Sequence, residues 1–144
     1  MTFSNFFDSL GDLDWLAVLA GTVAIFVLGW LWYGPLLGKA WARENNVSAD
    51  GSFEPKEMIL GFVQFLVLNI GIAYFIPALH VAFQNPASFE TLVMSSLALG
   101  IFVVGAFAVS SVIWLKKSWT GFAIDAGFAV VGIALASWVQ DLVA

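Results

Sequence analysis

Residues 15 to 34 form a long run without a single charged side chain. At a rise of 1.5 Å per residue, an α-helix over this run is about 30 Å long, which matches the hydrocarbon core of a bilayer. The whole chain is 61% hydrophobic and only 10% charged, with a mean hydropathy of +0.95. Because an ordinary soluble domain is far more polar, the sequence predicts an integral membrane protein.

Three further apolar runs have the length of a membrane span. The predicted fold class is all-α, a single-domain (1–144) integral membrane four-helix antiparallel bundle, with transmembrane helices at about 15–34, 58–80, 89–115 and 119–142. Pro77 interrupts the second helix late, and Ser118 is the expected N-cap of the fourth. The polar loop 38–56 separates the first two helices, and helical spacing of its apolar residues predicts an interfacial helix at 35–44.

The positions of the basic residues predict the orientation. All five bases lie in two connections: between the first two helices and between the last two. Lys and Arg near span ends are retained in the cytoplasm. We therefore expect a bacterial inner (plasma) membrane protein with both termini and the turn at 81–88 outside the cytoplasm.

Composition also excludes several functional classes. Ten acids against five bases give a net charge of −5, so no basic surface is present to bind nucleic acid. With no cysteine and one histidine, neither a thiolate site nor a multi-histidine metal site is expected. No phosphate-binding loop, nucleophile elbow or carboxylate pair is visible, so we expect no enzyme activity and no cofactor. His80, near a helix end, is either a pH sensor or simply an interfacial polar residue.

The first apolar run ends in clustered aromatic residues, a Gly-Pro break and a lysine. This is typical of a membrane-water boundary, where Trp and Tyr rings lie at headgroup level. An interface anchor is favoured over a ligand-stacking role for its residues, which are Trp32, Tyr33, Gly34, Pro35, Gly38, Lys39 and Trp41.

Asp125 is the one acid placed well inside an apolar run, about 9 Å from the start of the fourth helix. A carboxylate within a membrane helix costs free energy and is therefore expected to face protein or a wet cavity. It is either a proton or cation site or a structural acid, and Ser110 and Ser111 at similar depth are candidate donors to it. Asn69 and Gln64 in the second helix are expected to act as interhelical hydrogen-bonding groups.

Two further patterns concern the whole chain. Residues 25–29 and 101–105 share Ile-Phe-Val-x-Gly, which suggests two related hairpins in which Gln64 and Asp125 are nearly equivalent. Chance matches between apolar helices are the alternative. Small residues four apart occur on every span, which permits close packing and favours a homo-oligomer, a dimer or trimer.

The string Leu28-Gly29-x-Leu31-Trp32-Tyr33-Gly34-Pro35-Leu36-x-Gly38-Lys39-x-Trp41, with Ile124-Asp125-x-Gly127, resembles a family of small four-helix bacterial membrane proteins. That family is catalogued as domain-of-unknown-function family 1761. Leu37 departs from the expected Phe. The resemblance implies a fold and a membrane location, and it implies no activity.

From these patterns we expect a non-catalytic membrane component that is oligomeric or binds a partner. The alternative is a small-solute or proton-coupled transporter or channel that uses Asp125. The lipid bilayer is the one partner that composition demands.

Overall fold

A computed structural model describes residues 10–46, 54–82, 84 and 88–144, and these residues are helical apart from short connections. Residues 1–9, residues 47–53 of the polar loop, and residues 83 and 85–87 of the turn at 81–88 lie outside the described residues. In chain order the elements are α1 (Trp15–Leu31), a π-helical turn (Trp32–Leu36), α2 (Gly38–Asn45), α3 (Pro55–Ala82), α4 (Phe89–Ala98), a π-helical segment (Leu99–Gly105), α5 (Ala106–Ala108), α6 (Ser110–Ile113) and α7 (Trp119–Val143).

Four stretches are long and apolar enough to cross a membrane. We call them span 1 (Trp15–Leu36), span 2 (Pro55–Leu79), span 3 (Phe89–Ile113) and span 4 (Trp119–Val143). The all-helical prediction with four membrane-span-like helices is therefore confirmed.

The helix starts follow from capping groups. Asp14 Oδ1 accepts hydrogen bonds from the N–H groups of Leu16 and Ala17 at 3.0 Å, which satisfies two of the free donors at the start of α1. Ser118 Oγ accepts the N–H of Gly121 at 2.9 Å, as expected of the N-cap of α7.

The start of α3 lies three residues before the predicted start at 58. Pro55 occupies the first helical position, where its missing N–H costs nothing, and the Glu57 carboxylate accepts the N–H of Glu54 at 3.0 Å. The helix also continues through Pro77 to Ala82, past the predicted interruption.

Span 3 differs most from its prediction as one helix. It consists of α4, the π-helical segment, α5 and α6, and it ends at Ile113 rather than 115. Its first half is packed, since Leu92, Ser96 and Gly100 are buried. Beyond Gly100 its large side chains are mostly exposed, Phe102 and Phe107 above three-quarters.

The last helix, α7, is the centre of the structure, because it packs against span 1, α2, span 2 and span 3. The contacts of α1 follow α7 in reverse order: Gly21 lies against Gln140, Ile25 against Gly132 and Gly29 against Phe128. A buried apolar cluster joins α3, α4 and α7 through Ile72, Ile76, Leu92, Ile133 and Ala136.

Candidate functional site

The end of span 1 turns the chain back over α7. Leu37 N–H bonds to the carbonyl of Trp32 at 2.9 Å, one residue further back than in an α-helix, and the backbone leaves helical geometry at Gly34 (φ −106°, ψ −106°). A Cβ at position 38 would collide with the carbonyl oxygen of Tyr33, so this close approach requires glycine. The helix predicted at 35–44 is α2, which therefore begins at Gly38 rather than 35, because Pro35 belongs to the π-helical turn.

This turn directs two polar hydrogens at Asp125. The Tyr33 hydroxyl and the Trp41 indole N–H each donate to Asp125 Oδ1 at 3.1 Å. Tyr33, Trp41 and Asp125 are all partly buried. We call these three residues the Asp125 latch, since they connect the end of span 1 and α2 to span 4.

Aromatic rings pack around the latch. The Tyr33 ring lies 5.3 Å from that of Trp41, edge to face, and 5.0 Å from that of Phe128. The Trp32 indole N–H donates to the carbonyl of Ile124 at 3.1 Å, and its ring covers Gly127. Trp32, Tyr33 and Trp41 of the predicted interface anchor therefore pack on α7, whereas the nearby Trp30 is 64% exposed.

The far end of α2 makes a second connection to α7. The Ser118 hydroxyl near Glu44 lowers the pKa of the Glu44 carboxyl, and Arg43, which donates to it at 3.2 Å, lowers it further. Ser118 also caps α7, so Glu44 lies at the start of that helix. Trp41 and Glu44 of α2 therefore both lie against α7.

A separate polar contact lies toward the other end of the bundle. Gln140 Nε2 donates to Asn69 Oδ1 at 2.7 Å and to the Asn69 carbonyl at 3.1 Å, and Asn69 is fully buried. A Cβ at position 21 would collide with Asn69 Oδ1, so a glycine at this position allows α1 to pack directly against Asn69 and Gln140. We call Gly21, Asn69 and Gln140 the amide clasp, because it joins spans 1, 2 and 4.

The latch and the clasp are about 22 Å apart along α7, and apolar groups fill the interval. Ile25 packs on Gly132, and the Phe65 and Phe128 rings lie 5.8 Å apart. Two surface grooves flank span 3, and neither is lined by Asp125.

The other predicted residues lie apart from the latch. Ser110 and Ser111 are in α6, and their hydroxyls donate no hydrogen bond within the described residues, so the donors to Asp125 come from the motif instead. Gln64 is exposed on α3, and Lys39 is exposed on α2. The side chain of His80 lies outside the described structure, and its proposed role stays a prediction.

Sequence reasoning missed Gln140. It continues the small-residue stripe Gly132 and Ala136 at a spacing of four, on the face of α7 that packs inward. A polar residue on such a stripe is the signal that could have identified it.

The fold and the latch define an all-helical protein with four membrane-span-like helices, of which the first two are joined to the last by hydrogen bonds. Comparison with protein families then identifies the group: a family model described as "Protein of unknown function (DUF1761)" matches residues 16–140, and the chain belongs to this family. No curated protein and no solved structure was found to match it.

Proposed function

We propose that the protein is a non-catalytic integral membrane component that acts by associating with itself or with a partner in the bilayer. The supporting observation is that the Asp125 carboxylate already has hydrogen-bond donors within its own chain. Its carboxylate accepts one phenol and one indole hydrogen, both from the segment that leaves span 1. An acid used in this way stabilises the fold and need not exchange protons.

The proposed arrangement is an antiparallel bundle in a bacterial inner membrane with both termini outside the cytoplasm. It is supported by the reverse order of contacts between α1 and α7 and by the location of all five bases in two connections. Self-association as a dimer or trimer is supported by the small-residue stripes and the large apolar side chains that span 3 leaves exposed.

One observation favours the alternative, a proton-coupled transporter or channel. Both latch hydrogen bonds end on Oδ1, and within the described residues Asp125 Oδ2 accepts none. A free carboxylate oxygen in a span is a potential proton acceptor.

Two substitutions of Asp125 separate these functions. Asp125→Asn keeps an oxygen for both donors and should change unfolding free energy little, while Asp125→Leu strands the donors of Tyr33 and Trp41 and should cost about 1–3 kcal/mol for each. Thermal stability in detergent and proton flux in reconstituted vesicles are measured for both. Asp141→Asn, an exposed acid on the same helix, is the matched control.

If the protein is a non-catalytic component, Asp125→Leu should be destabilised, and vesicles with the wild-type protein should show no more proton flux than empty vesicles. If wild-type protein carries a proton flux that is lost in Asp125→Asn and kept in Asp141→Asn, the protein is instead a proton-coupled transporter or channel.

A further inference from the structure

A groove of about 560 Å³ lies between the end of α3 and the first half of span 3. One end of the groove is lined by residues of α4, which are Glu90, Thr91, Met94 and Ser95. The rest of its lining is apolar and consists of Leu79 of α3 with Ala98, Leu99, Phe102 and Val103 of span 3. The charged and hydroxyl groups of the groove are therefore confined to α4, and the groove is apolar further along span 3.

The Ser95 hydroxyl differs from the other hydroxyls of the spans, whereas the Thr91 hydroxyl is paired with that of Ser88 at 2.9 Å. Thr22, Ser96 and Ser137 each donate to the carbonyl four residues earlier, at 2.8 Å, and are buried. Ser95 is only partly buried, and in the described structure its hydroxyl donates no such bond. A hydroxyl that faces a groove without using a helix carbonyl is free to donate to a ligand.

The spacing of these groups matches the depth profile of a phospholipid. Along α4 the rise from Glu90 to Ser95 is about 7 Å, and Phe102 lies further along span 3, in the π-helical segment. A bilayer has a polar zone of about 5–8 Å on each side of its hydrocarbon core. Glu90 then lies at headgroup level, Ser95 at the ester groups and Phe102 among acyl chains.

The charge that Glu90 places at the mouth of the groove is negative. No lysine or arginine occurs between residues 57 and 115, a range that includes α4 and all of α3 except its first two residues. Lys56 lies at the opposite end of α3 from Leu79. The exposed Glu90 carboxylate therefore attracts a cationic headgroup and repels an anionic one.

We propose that this groove binds a phospholipid with a primary-amine headgroup, such as phosphatidylethanolamine, with its ammonium at Glu90, an ester carbonyl at Ser95 and an acyl chain along Ala98 to Phe102. A primary ammonium donates hydrogen bonds to the carboxylate, which a choline headgroup cannot do. This inference rests on the proposed membrane insertion and is independent of the role of Asp125.

Native mass spectrometry of the purified full chain tests the proposal. The protein in mild detergent is offered equal amounts of phosphatidylethanolamine, phosphatidylcholine and phosphatidylglycerol with identical acyl chains. Wild-type protein should retain phosphatidylethanolamine ahead of both others. Glu90→Gln should lower the ratio of retained ethanolamine to glycerol lipid about two- to fivefold, the effect of losing an exposed ion pair.

Matched variants test where the selectivity arises. Asp141→Asn removes another exposed acid that does not line the groove, and it should leave the ratio unchanged. Ser95→Ala should reduce retention of all three lipids and keep their ratio. Equal retention of the three lipids by wild type, an unchanged ratio in Glu90→Gln, or the same drop in Asp141→Asn would overturn the proposal.

Occupation of the groove by a second copy would also overturn it. In that case the protein would appear as a lipid-free dimer, and added lipid would shift it toward monomer. Failure of membrane insertion itself is a different result, because the protein would then be recovered from cells without detergent.

Discussion

At the scale of single residues, the aromatic motif at the end of span 1 supplies hydrogen-bond donors to Asp125, which lies far along the chain. Tyr33 and Trp41 are separated from Asp125 by 92 and 84 residues. Each ring also packs on its neighbours, so the hydrogens are held in place by the same contacts that bury them. The motif thus combines an aromatic boundary with a polar connection to span 4.

Trp41→Phe removes the indole hydrogen and keeps an aromatic ring at this position. Trp41→Phe should lower the free energy of unfolding by about 1–2 kcal/mol, because one hydrogen bond to a partly buried carboxylate is lost. The control is Trp30→Phe, at an exposed indole near the end of α1, which should change stability by less than about 0.5 kcal/mol. Equal effects of the two substitutions in thermal unfolding would contradict the latch.

The amide clasp allows a double-mutant cycle. Asn69→Leu and Gln140→Leu should each destabilise the protein, and the double variant should lose less than the sum. The expected coupling is about 0.6–1.7 kcal/mol, the range of interhelical hydrogen bonds in membranes. Additive effects would mean that the bond of 2.7 Å between the two side chains contributes nothing to stability.

Sequence patterns identified Asp125 as a candidate site residue but did not predict which residues donate hydrogen bonds to it. An acid in an apolar run is conspicuous because its burial is costly, so Asp125 was identified without a structure. Its donors were not, because the direction of the Tyr33 and Trp41 rings depends on a one-residue slip in the hydrogen bonds of the π-helical turn. Composition does not encode that slip.

At the scale of helices, lengths and caps were predictable, whereas irregular geometry was not. Apolar runs gave four spans, and Ser118 was correctly expected as a cap. The short helix α2 was predicted at 35–44 from its spacing, yet its start at Gly38 depends on contact between Gly38 and Tyr33. The π-helical segment of span 3 was not predicted, since the sequence there is apolar throughout.

The start of α2 can be tested by substitution of Gly38. Gly38→Ala places a methyl group against the Tyr33 carbonyl, which should displace α2 and cost about 1–3 kcal/mol. Gly61→Ala is the control: it lies in α3 with nothing within 4 Å of an added Cβ, and it should be neutral or slightly stabilising. Thermal stability of the two variants in detergent decides the matter, and a neutral Gly38→Ala would show that the turn can relax.

At the scale of the whole molecule, the proposed orientation can be tested directly because the chain contains no cysteine. Single cysteines at Ser4, Ser88 and Ala144 should react with a membrane-impermeant thiol reagent in intact cells. A cysteine at Ser48 should react only after the cells are opened. The reverse pattern would mean that the cytoplasmic side has been assigned wrongly.

The hydrogen bonds that join α7 to span 1, α2 and α3 have a consequence for biosynthesis. None of these bonds includes a residue of span 3, and each connects an early part of the chain to the part made last. Chains are synthesised from the N-terminus, so Asn69 and the motif enter the membrane before Gln140 and Asp125 exist. Until span 4 leaves the ribosome, those polar groups have no partner on α7. A ribosome that pauses after span 3 would therefore expose an immature protein to quality-control proteases, and synthesis of the final helix is the step that ends this exposure.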